Sequence, residues 1–468
     1  MTLFSFDNSY SRLPDHMFAE VAPTPVRAPE LLVLNQELAL ELGLSENAFH
    51  SDELLQVLAG NAIAKGSNPI AQAYAGHQFG NFVPQLGDGR AHLLGEVIST
   101  NGERLDIVLK GSGPTPFSRN GDGRAWLGPA LREFLVSEAM HAFGVPTTRA
   151  LAVVATGERV QRETGLPGAI ITRVASSHIR VGTFQYFAYR NDQQALQRLT
   201  EMAISRHFTS AEGPLDLLQA AVHTQADLIA QWMGLGFIHG VMNTDNCHVG
   251  GLTIDYGPCA FMDGFDPAKV FSSIDRHGRY AYQNQPDIAA WNLAQFAGCL
   301  LPLIGPEDTA IPLATDIVNS FVPRFHRSWL AVFGRKIGLE DAKQADRALI
   351  TDLLNLMAAE SVDFTQCFHA LTTGNAAHLF NDNNRYAEWH ERWQGRKPEA
   401  NIMARANPAV IPRNHRIEEA IQAAVQGDLA PFAALHTALS TPYMEPSDKT
   451  LMDAPNEGEE VQATFCGT

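Results

Sequence analysis

The residues of this sequence best equipped for chemistry are a lysine, an adjacent aspartate and asparagine, and a second aspartate followed by an aromatic residue and a glycine. They are Lys110, Asp245-Asn246 and Asp255-Tyr256-Gly257. Hard divalent cations take oxygen ligands, and magnesium is commonly held by one or two carboxylates with phosphate oxygens and water. Asp255 and the side-chain oxygen of Asn246 meet that requirement. Lys110 offers a compact positive charge to phosphate, and Glu133 would fix its position. Gly87 and Gly89 let backbone approach a nucleotide closely. Arg173 and Arg180 suit phosphate oxygens through paired guanidinium hydrogen bonds. Taken singly these signals are commonplace: Gly-x-Gly is usually a turn, a strand-end lysine is usually solvated, and Asp-Asn in a loop usually makes an Asx turn. Their order, spacing and placement on matching elements outweigh those plain readings.

Those elements can be read from the pattern of apolar residues. Roughly the first eighty residues mix a helical patch, Leu31 to Leu42, with loops rich in Gly, Asn and Gln. Gly87-Asp88-Gly89 then precedes two alternating runs, Ala91 to Ile98 and Arg104 to Lys110, joined through Asn101-Gly102. That is a strong hairpin signal, because both residues tolerate positive φ. Pro129 opens a helix with Leu131, Phe134 and Leu135 as its stripe, and Gly144 and Pro146 stop it. Strand-like sequence follows at Ala150 to Ala155 and Gly168 to Val174. From Leu215 a long amphipathic helix runs to Gly234 and Gly236. A polar loop, the short apolar strand Leu252-Thr253-Ile254 and the Asp255 turn come next. Most of the sequence to about residue 425 reads as helices, including Asp287 to Leu301 with Asp287 as N-cap, and the last thirty residues read as a loosely docked tail. A β-rich half before a helical half predicts an α+β fold of two lobes. The expected units are residues 1–205, 206–425 and a C-terminal extension at 426–468.

Helix, polar loop, short strand and Asp-aromatic-Gly resemble the catalytic arrangement of a protein kinase, where the loop asparagine and the second aspartate hold metal ions bridging ATP phosphates. His239 precedes Asn246 by seven residues, the interval of His-Arg-Asp-x-x-x-x-Asn. That interval puts Val241 where a kinase has its catalytic aspartate. Valine accepts no proton, so the chain is either inert or uses another group, for which Asp245 is the candidate.

Composition narrows the setting. The chain has 468 residues, 45% hydrophobic and 18% charged, which is globular and long enough for two or three packed units. A formal net charge of -17 disfavours nucleic acid or an anionic membrane as partner. Between Arg104 and Arg190, however, eleven Arg or Lys face six Asp or Glu, which suggests a confined anion site. Five scattered cysteines without a CxxC pair fit a reducing compartment. No signal or transit peptide is legible, and the best apolar run, Phe296 to Ile304, is short and broken by Pro302. A cytoplasmic location is expected. Cys247-His248 near His239 makes a poor zinc site, and His77 reads as a satisfied structural histidine.

With those residues assembled, the sequence closely resembles the selenoprotein O family of kinase-like protein adenylyltransferases over nearly its whole length. The most specific stretches are Tyr74-Ala75-Gly76-His77-Gln78-Phe79-Gly80 running on to Gly87-Asp88-Gly89-Arg90, Leu109-Lys110-Gly111-Ser112-Gly113, His239 to Asn246, and Asp255-Tyr256-Gly257-Pro258. The resemblance implies ATP bound in an orientation inverted relative to kinases, with Mg2+ or Mn2+. AMP would pass to a Ser, Thr or Tyr hydroxyl of a protein, self-modification included, and pyrophosphate would leave. By motif, nucleotide contacts fall on Gly87, Gly89, Arg90, Lys110, Asp122, Gly123, Arg173, Arg180 and Asp255. Asp245 takes the proton-acceptor role, and Asn246 and Asp255 take the metal. The resemblance also implies a redox role for Cys466 near the C-terminus; a disulfide to Cys259 or Cys247 is the alternative, and an unpaired thiol is expected. The alternatives are γ-phosphoryl transfer, a silent nucleotide-binding scaffold, and a thiol redox protein.

Overall fold

Short alternating and apolar segments in the first 175 residues build one twisted antiparallel sheet. The computed structural model describes residues 3–464. Its strands are β1 (Phe18–Glu20), β2 (Glu30–Leu34), β3 (Ile70–Gln72), β4 (Gly76–Gln78), β5 (Asn81–Val83), β6 (Ala91–Ile98), β7 (Arg104–Lys110), β8 (Ala125–Trp126), β9 (Arg149–Gln161) and β10 (Gly165–Ala175). The main sheet runs β1-β3-β6-β7-β10-β9-β2, with β8 paired to β10. β4 and β5 form a separate hairpin, and β11 (Phe237–Ile238) pairs with β12 (Ala260–Phe261).

The predicted hairpin has the expected bounds, with Ile98 opposite Arg104. Its connection is a five-residue loop rather than a two-residue turn: the N–H of Ser99 donates to the carbonyl of Glu103, and only Gly102 has positive φ, 83°. Period-two alternation then assigns faces along β7. Leu105, Ile107 and Leu109 enter one core with Leu151, Val154 and Ile170, against α1 (Gln36–Glu41) and α2 (Asp52–Leu58). Val108 joins Ile171 and Val153 in the other core, against α3 (Leu127–Ala142). Lys110 and Asp106 share the parity of Val108, as Arg173 shares that of Ile171, so all three lie on the α3 side of the sheet.

The second core continues without a break into the helical half. Here lie α4 (Val181–Tyr189), α5 (Gln193–His207), α6 (Pro214–Gly234), α7 (Gln285–Ile304), α8 (Glu307–Asn319) and α9 (Phe321–Lys336). They are followed by α10 (Arg347–Glu360), α11 (Phe364–Thr373), α12 (Asn383–Gln394), α13 (Ala400–Ala406), α14 (Asn414–Val425) and α15 (Ala430–Ser440). α6 is the predicted long helix, and α3 ends at Phe143 with Gly144 in the left-handed region, as its stop signals require.

Several expectations need correction. Leu31–Leu42 is not one helix: Glu30–Leu34 forms edge strand β2, and α1 begins only after Asn35, whose side chain accepts from the N–H of Leu38. Leu252–Ile254 forms no strand, only an isolated bridge between Thr253 and Thr147. α7 starts at Gln285 rather than Asp287 and runs through Pro302 to Ile304. The stretch Tyr282–Ile304 is therefore long and apolar enough to cross a membrane by length and composition, with mean hydropathy 1.3. It packs against α4, α5, α6, α8 and α9, and its buried Asn292 donates to the carbonyl of Met242. The tail is not loose up to Thr464, which is buried and pairs with Ser272. Cys466 lies outside the described residues.

Candidate active site

Lys110 ends β7 on the α3 side of the sheet, where Glu133 of α3 meets it at 2.7 Å. Arg173 projects from the neighbouring strand β10 on the same face, and its guanidinium reaches Glu133 at 2.6 Å and Asp255 at 2.6 Å. Asp255 is also 3.6 Å from the Lys110 ammonium and 3.5 Å from Arg180. Three side chains separated by up to 145 positions, Lys110, Glu133 and Asp255, thus share one ionic cluster with both arginines. Burial pushes the Asp255 carboxyl up, but Arg173, Arg180 and Lys110 outweigh it and hold it well below the usual carboxylate range. Glu133 is lowered in the same way, with burial opposed by Arg173 and Lys110. Asp255 itself adopts φ 64°, a left-handed conformation unusual outside glycine, and its carbonyl accepts from Gly257 N–H.

The cluster lies on the wall of a cleft of about 1120 Å³. All twelve residues singled out in the sequence as nucleotide, metal, lysine-positioning or catalytic groups line it: Gly87, Gly89, Arg90, Lys110, Asp122, Gly123, Glu133, Arg173, Arg180, Asp245, Asn246 and Asp255. Asp122 sits at the more open end, where its carboxylate pairs with Arg162 at 2.8 Å. The glycines have a packing reason as well. A Cβ at Gly87 would lie 2.3 Å from the Phe117 ring, and one at Gly89 would lie 2.9 Å from the Phe117 carbonyl.

Asp245 and Asn246 form a single 3-10 turn, Thr244–Asn246. The amide nitrogen of Asn246 is committed to the carbonyl of Val241 at 2.9 Å, so its side-chain oxygen is the end left for another partner. Asp245 is buried, and among the described residues its Oδ1 has no hydrogen-bond partner and its one side-chain hydrogen bond is a long one, 3.5 Å from the Gln78 amide to Oδ2. Burial pushes this carboxyl up to about 6, against the opposing pull of its own backbone N–H, of Arg180 and of Gln78. The Nε of Arg180 is likewise buried without a partner. An excess of cations with an orphaned guanidinium nitrogen fits an anion such as a polyphosphate. A carboxylate oxygen and an amide oxygen on the same cleft fit a divalent cation. Val241 and Asp245 both line the cleft.

The loop carrying Asp245 is held by parts that chemical reasoning on the sequence did not single out. The β4–β5 hairpin grips it: His77 N–H donates to the Thr244 hydroxyl at 2.7 Å, and Phe79 N–H donates to Asn243 Oδ1 at 3.0 Å. Thr244 in turn donates to Gln185 of α4 at 2.6 Å, and the Gln185 amide meets His77 Nδ1 at 2.8 Å. Tyr74 carries the Arg180 guanidinium over its ring at 4.5 Å. Gly80, which with Phe79 makes the two-residue turn at positive φ, was the available signal for this hairpin. His77 is a satisfied structural histidine, as expected. Cys247 and His248 form no metal cluster among the described residues, and His248 instead bonds Ser177 at 3.0 Å. Cys247, Cys259, Cys299 and Cys367 are free and buried.

Residues 1–440 match the family model described as protein adenylyltransferase SelO. The chain is 55% identical over 469 residues to a protein nucleotidyltransferase YdiU of Ruegeria pomeroyi, covering 99% of each chain. It is 55% identical to the YdiU of Roseobacter denitrificans over 99% of each chain. The YdiU of Methylorubrum populi is 54% identical over 495 residues, covering 100% of this chain and 99% of the relative. The chain therefore belongs to the SelO family.

Proposed function

We propose that the protein transfers AMP from ATP to Ser, Thr or Tyr hydroxyls of proteins, its own included, and releases pyrophosphate. The observation that carries this reading is the convergence of Lys110, Arg173 and Arg180 around Asp255 in the cleft that also contains Asp245 and Asn246. Lys110, Arg173 and Arg180 bind the β- and γ-phosphates at the buried end, with Glu133 holding Lys110 and Arg173 in place. Gly87, Gly89, Arg90, Asp122 and Gly123 flank the nucleotide along the opening. That orientation leaves the α-phosphorus toward the Asp245 side. Asn246 and Asp255 would hold Mg2+ or Mn2+, whose chemistry there would be to neutralise phosphate charge.

Asp245 accepts the proton of the incoming hydroxyl. A carboxyl raised to about 6 by burial is ionised at neutral pH yet a better base than a solvated one. The oxygen–phosphorus bond to the acceptor forms as the bond to pyrophosphate breaks. The proposed division is kinase-like, a β-rich lobe at 1–205, a helical lobe at 206–425 and an extension at 426–468, with α4 and the α5 helix that crosses residue 205 packing against helices of the second lobe. A cytoplasmic setting is supported by free thiols at all four described cysteines.

Parallel incubation with α-labelled and γ-labelled ATP tests the reaction. Label from the α position is expected on protein, with an intact-mass increment of one adenylyl group on self-modified chains. Label from the γ position alone would instead establish phosphoryl transfer.

A further inference from the structure

Asp255 is suspended between two ties to a single loop. Before it, Thr253 N–H donates to the carbonyl of Pro146 at 2.9 Å, and Thr148 N–H donates to the carbonyl of Thr253 at 3.0 Å. The Thr253 hydroxyl adds a bond to the Pro146 carbonyl at 3.0 Å and accepts from the Trp232 indole at 2.8 Å. After it, the Tyr256 hydroxyl meets the hydroxyl of Thr147. Thr147 donates to the carbonyl of Thr148 at 2.9 Å, so its oxygen is left to accept and the tyrosine is the donor. Residues 146–148 join α3, which carries Glu133, to β9.

The second tie falls where the backbone needs one. Asp255 is left-handed at φ 64°, a conformation that a residue other than glycine keeps only when its surroundings over-determine it. The Tyr256 ring is 1% exposed and meets Phe237 edge-on at 6.2 Å. An apolar ring would tolerate rotations of the turn that keep it buried. A buried hydroxyl is satisfied only where it finds its partner, so the bond to Thr147 narrows that freedom to one arrangement. In that arrangement the Asp255 carboxylate faces Lys110, Arg173 and Arg180, on the cleft that Asn246 also lines.

We propose that Thr147 and Tyr256 are positioning residues: their hydroxyl pair holds Asp255 in its left-handed, cleft-facing conformation and thereby sets the affinity of the site for its divalent cation. The proposal rests on the assignment of that cation to Asn246 and Asp255. Thr147 does not line the cleft, so it acts through Tyr256. Groups that orient a metal ligand from behind govern metal affinity nearly as strongly as the ligands do.

Titration with Mn2+ followed by electron paramagnetic resonance tests this without turnover, in the presence of α,β-methylene-ATP, whose bond to the leaving group cannot be cleaved. In Tyr256→Phe and in Thr147→Val the Mn2+ dissociation constant is expected to rise roughly 10-fold. Affinity for the same nucleotide without metal should hold or tighten, because an Asp255 carboxylate that swings away leaves three cations to the phosphates. A hydroxyl pair that merely supported the fold would weaken both. Thr147→Ser keeps the hydroxyl and should keep the unaltered Mn2+ affinity. The double variant should be no worse than either single one, since both remove the same bond. Unchanged Mn2+ affinity in the single variants, or metal-free nucleotide binding lost alongside it, would overturn the proposal. If one variant fails to fold, the other decides. The two readings fail separately: γ-label on protein with the metal effect intact would refute AMP transfer and leave the hydroxyl pair standing, and α-label transfer with the metal effect absent would do the reverse.

Discussion

Strand β7 carries two buried ionic clusters on one face, and they differ in charge balance and in what lies beside them. At its first end, Asp106 accepts from Arg206 at 2.6 Å and meets His178 at 3.1 Å, while Glu96 takes Arg206, Arg104 and the N–H groups of Ser9 and Tyr10. At its last end, about 13 Å away at ~3.3 Å per residue, Lys110 joins Glu133, Arg173, Arg180 and Asp255. Both are built from arginines and carboxylates on the α3 side of the sheet. In the Asp106 cluster Arg104 and Arg206 face Glu96, Asp106 and the more exposed Asp7, and none of these residues lines the cleft that holds Lys110. In the Lys110 cluster three cations face two carboxylates and a large cleft opens beside them, while among the described residues each cluster has one buried unpartnered nitrogen, Arg180 Nε here and His178 Nε2 there. Charge left uncompensated next to open volume separates a binding site from a structural network.

The sharpest way to break that contrast is to remove the carboxylate at the centre of the open cluster. Asp255→Ala should abolish incorporation of α-label into protein, a loss of roughly 10²–10³-fold or more, on the scale of deleting a group that stabilises transition-state charge. Nucleotide binding, read by a fluorescent ATP analogue, should survive, because the three cations remain. Transfer at a normal rate in this variant would refute the metal assignment to Asp255.

The closed cluster should respond in the opposite currency. Asp106→Asn leaves Arg206 and His178 short of a buried counter-charge, and breaking such a pair costs about 3 kcal/mol. Burial raises the Asp106 carboxyl, but Arg206 and His178 outweigh it and hold its pKa low, so the folded state binds that proton less tightly than the unfolded chain. Its stabilisation is present above the unfolded value of 3.8 and is lost as pH falls below it. Urea midpoints should therefore drop for Asp106→Asn at pH 7, while kcat of the folded fraction stays within about twofold. A large kcat loss with an unchanged midpoint would show that the two ends of β7 are not separable.

What the sequence disclosed follows the same division. The hairpin, α3 and α6 were legible because their signals are local: alternation, an Asn-Gly break, and Pro and Gly at helix ends. The candidate site was legible because each residue sits at a chain landmark, Lys110 at a strand end and Asp255 in a turn. The Asp106 cluster was not, since Arg206, His178 and Glu96 meet only through tertiary packing and carry no local motif. β2 was misread because Leu31–Leu34 is apolar on consecutive positions, which a strand and a helix satisfy equally over so short a run. The docking of Thr464 was hidden for a related reason: backbone pairing leaves no mark on side-chain pattern.

The smallest expected effect sharpens the contrast most finely, because it concerns one long contact to the proposed base. The Asp245 carboxyl is raised to about 6 by burial, so the folded chain binds its proton more tightly than an unfolded chain with the ordinary value of 3.8. Transfer should accordingly rise with pH through about 6 and level off above it, and Asp245→Asn should remove that limb along with most of the rate. The Gln78 amide, 3.5 Å from Oδ2, favours the ionised form and so opposes the upward shift. Gln78→Leu takes that support away, and the limb should move to higher pH by less than one unit while the plateau rate changes by about twofold or less. A contact so long does little for stability, so the melting temperature should hardly move. A limb that stays in place in Gln78→Leu would mean that the hairpin positions Asp245 through Thr244 and Asn243 alone, with its charge set by burial and Arg180.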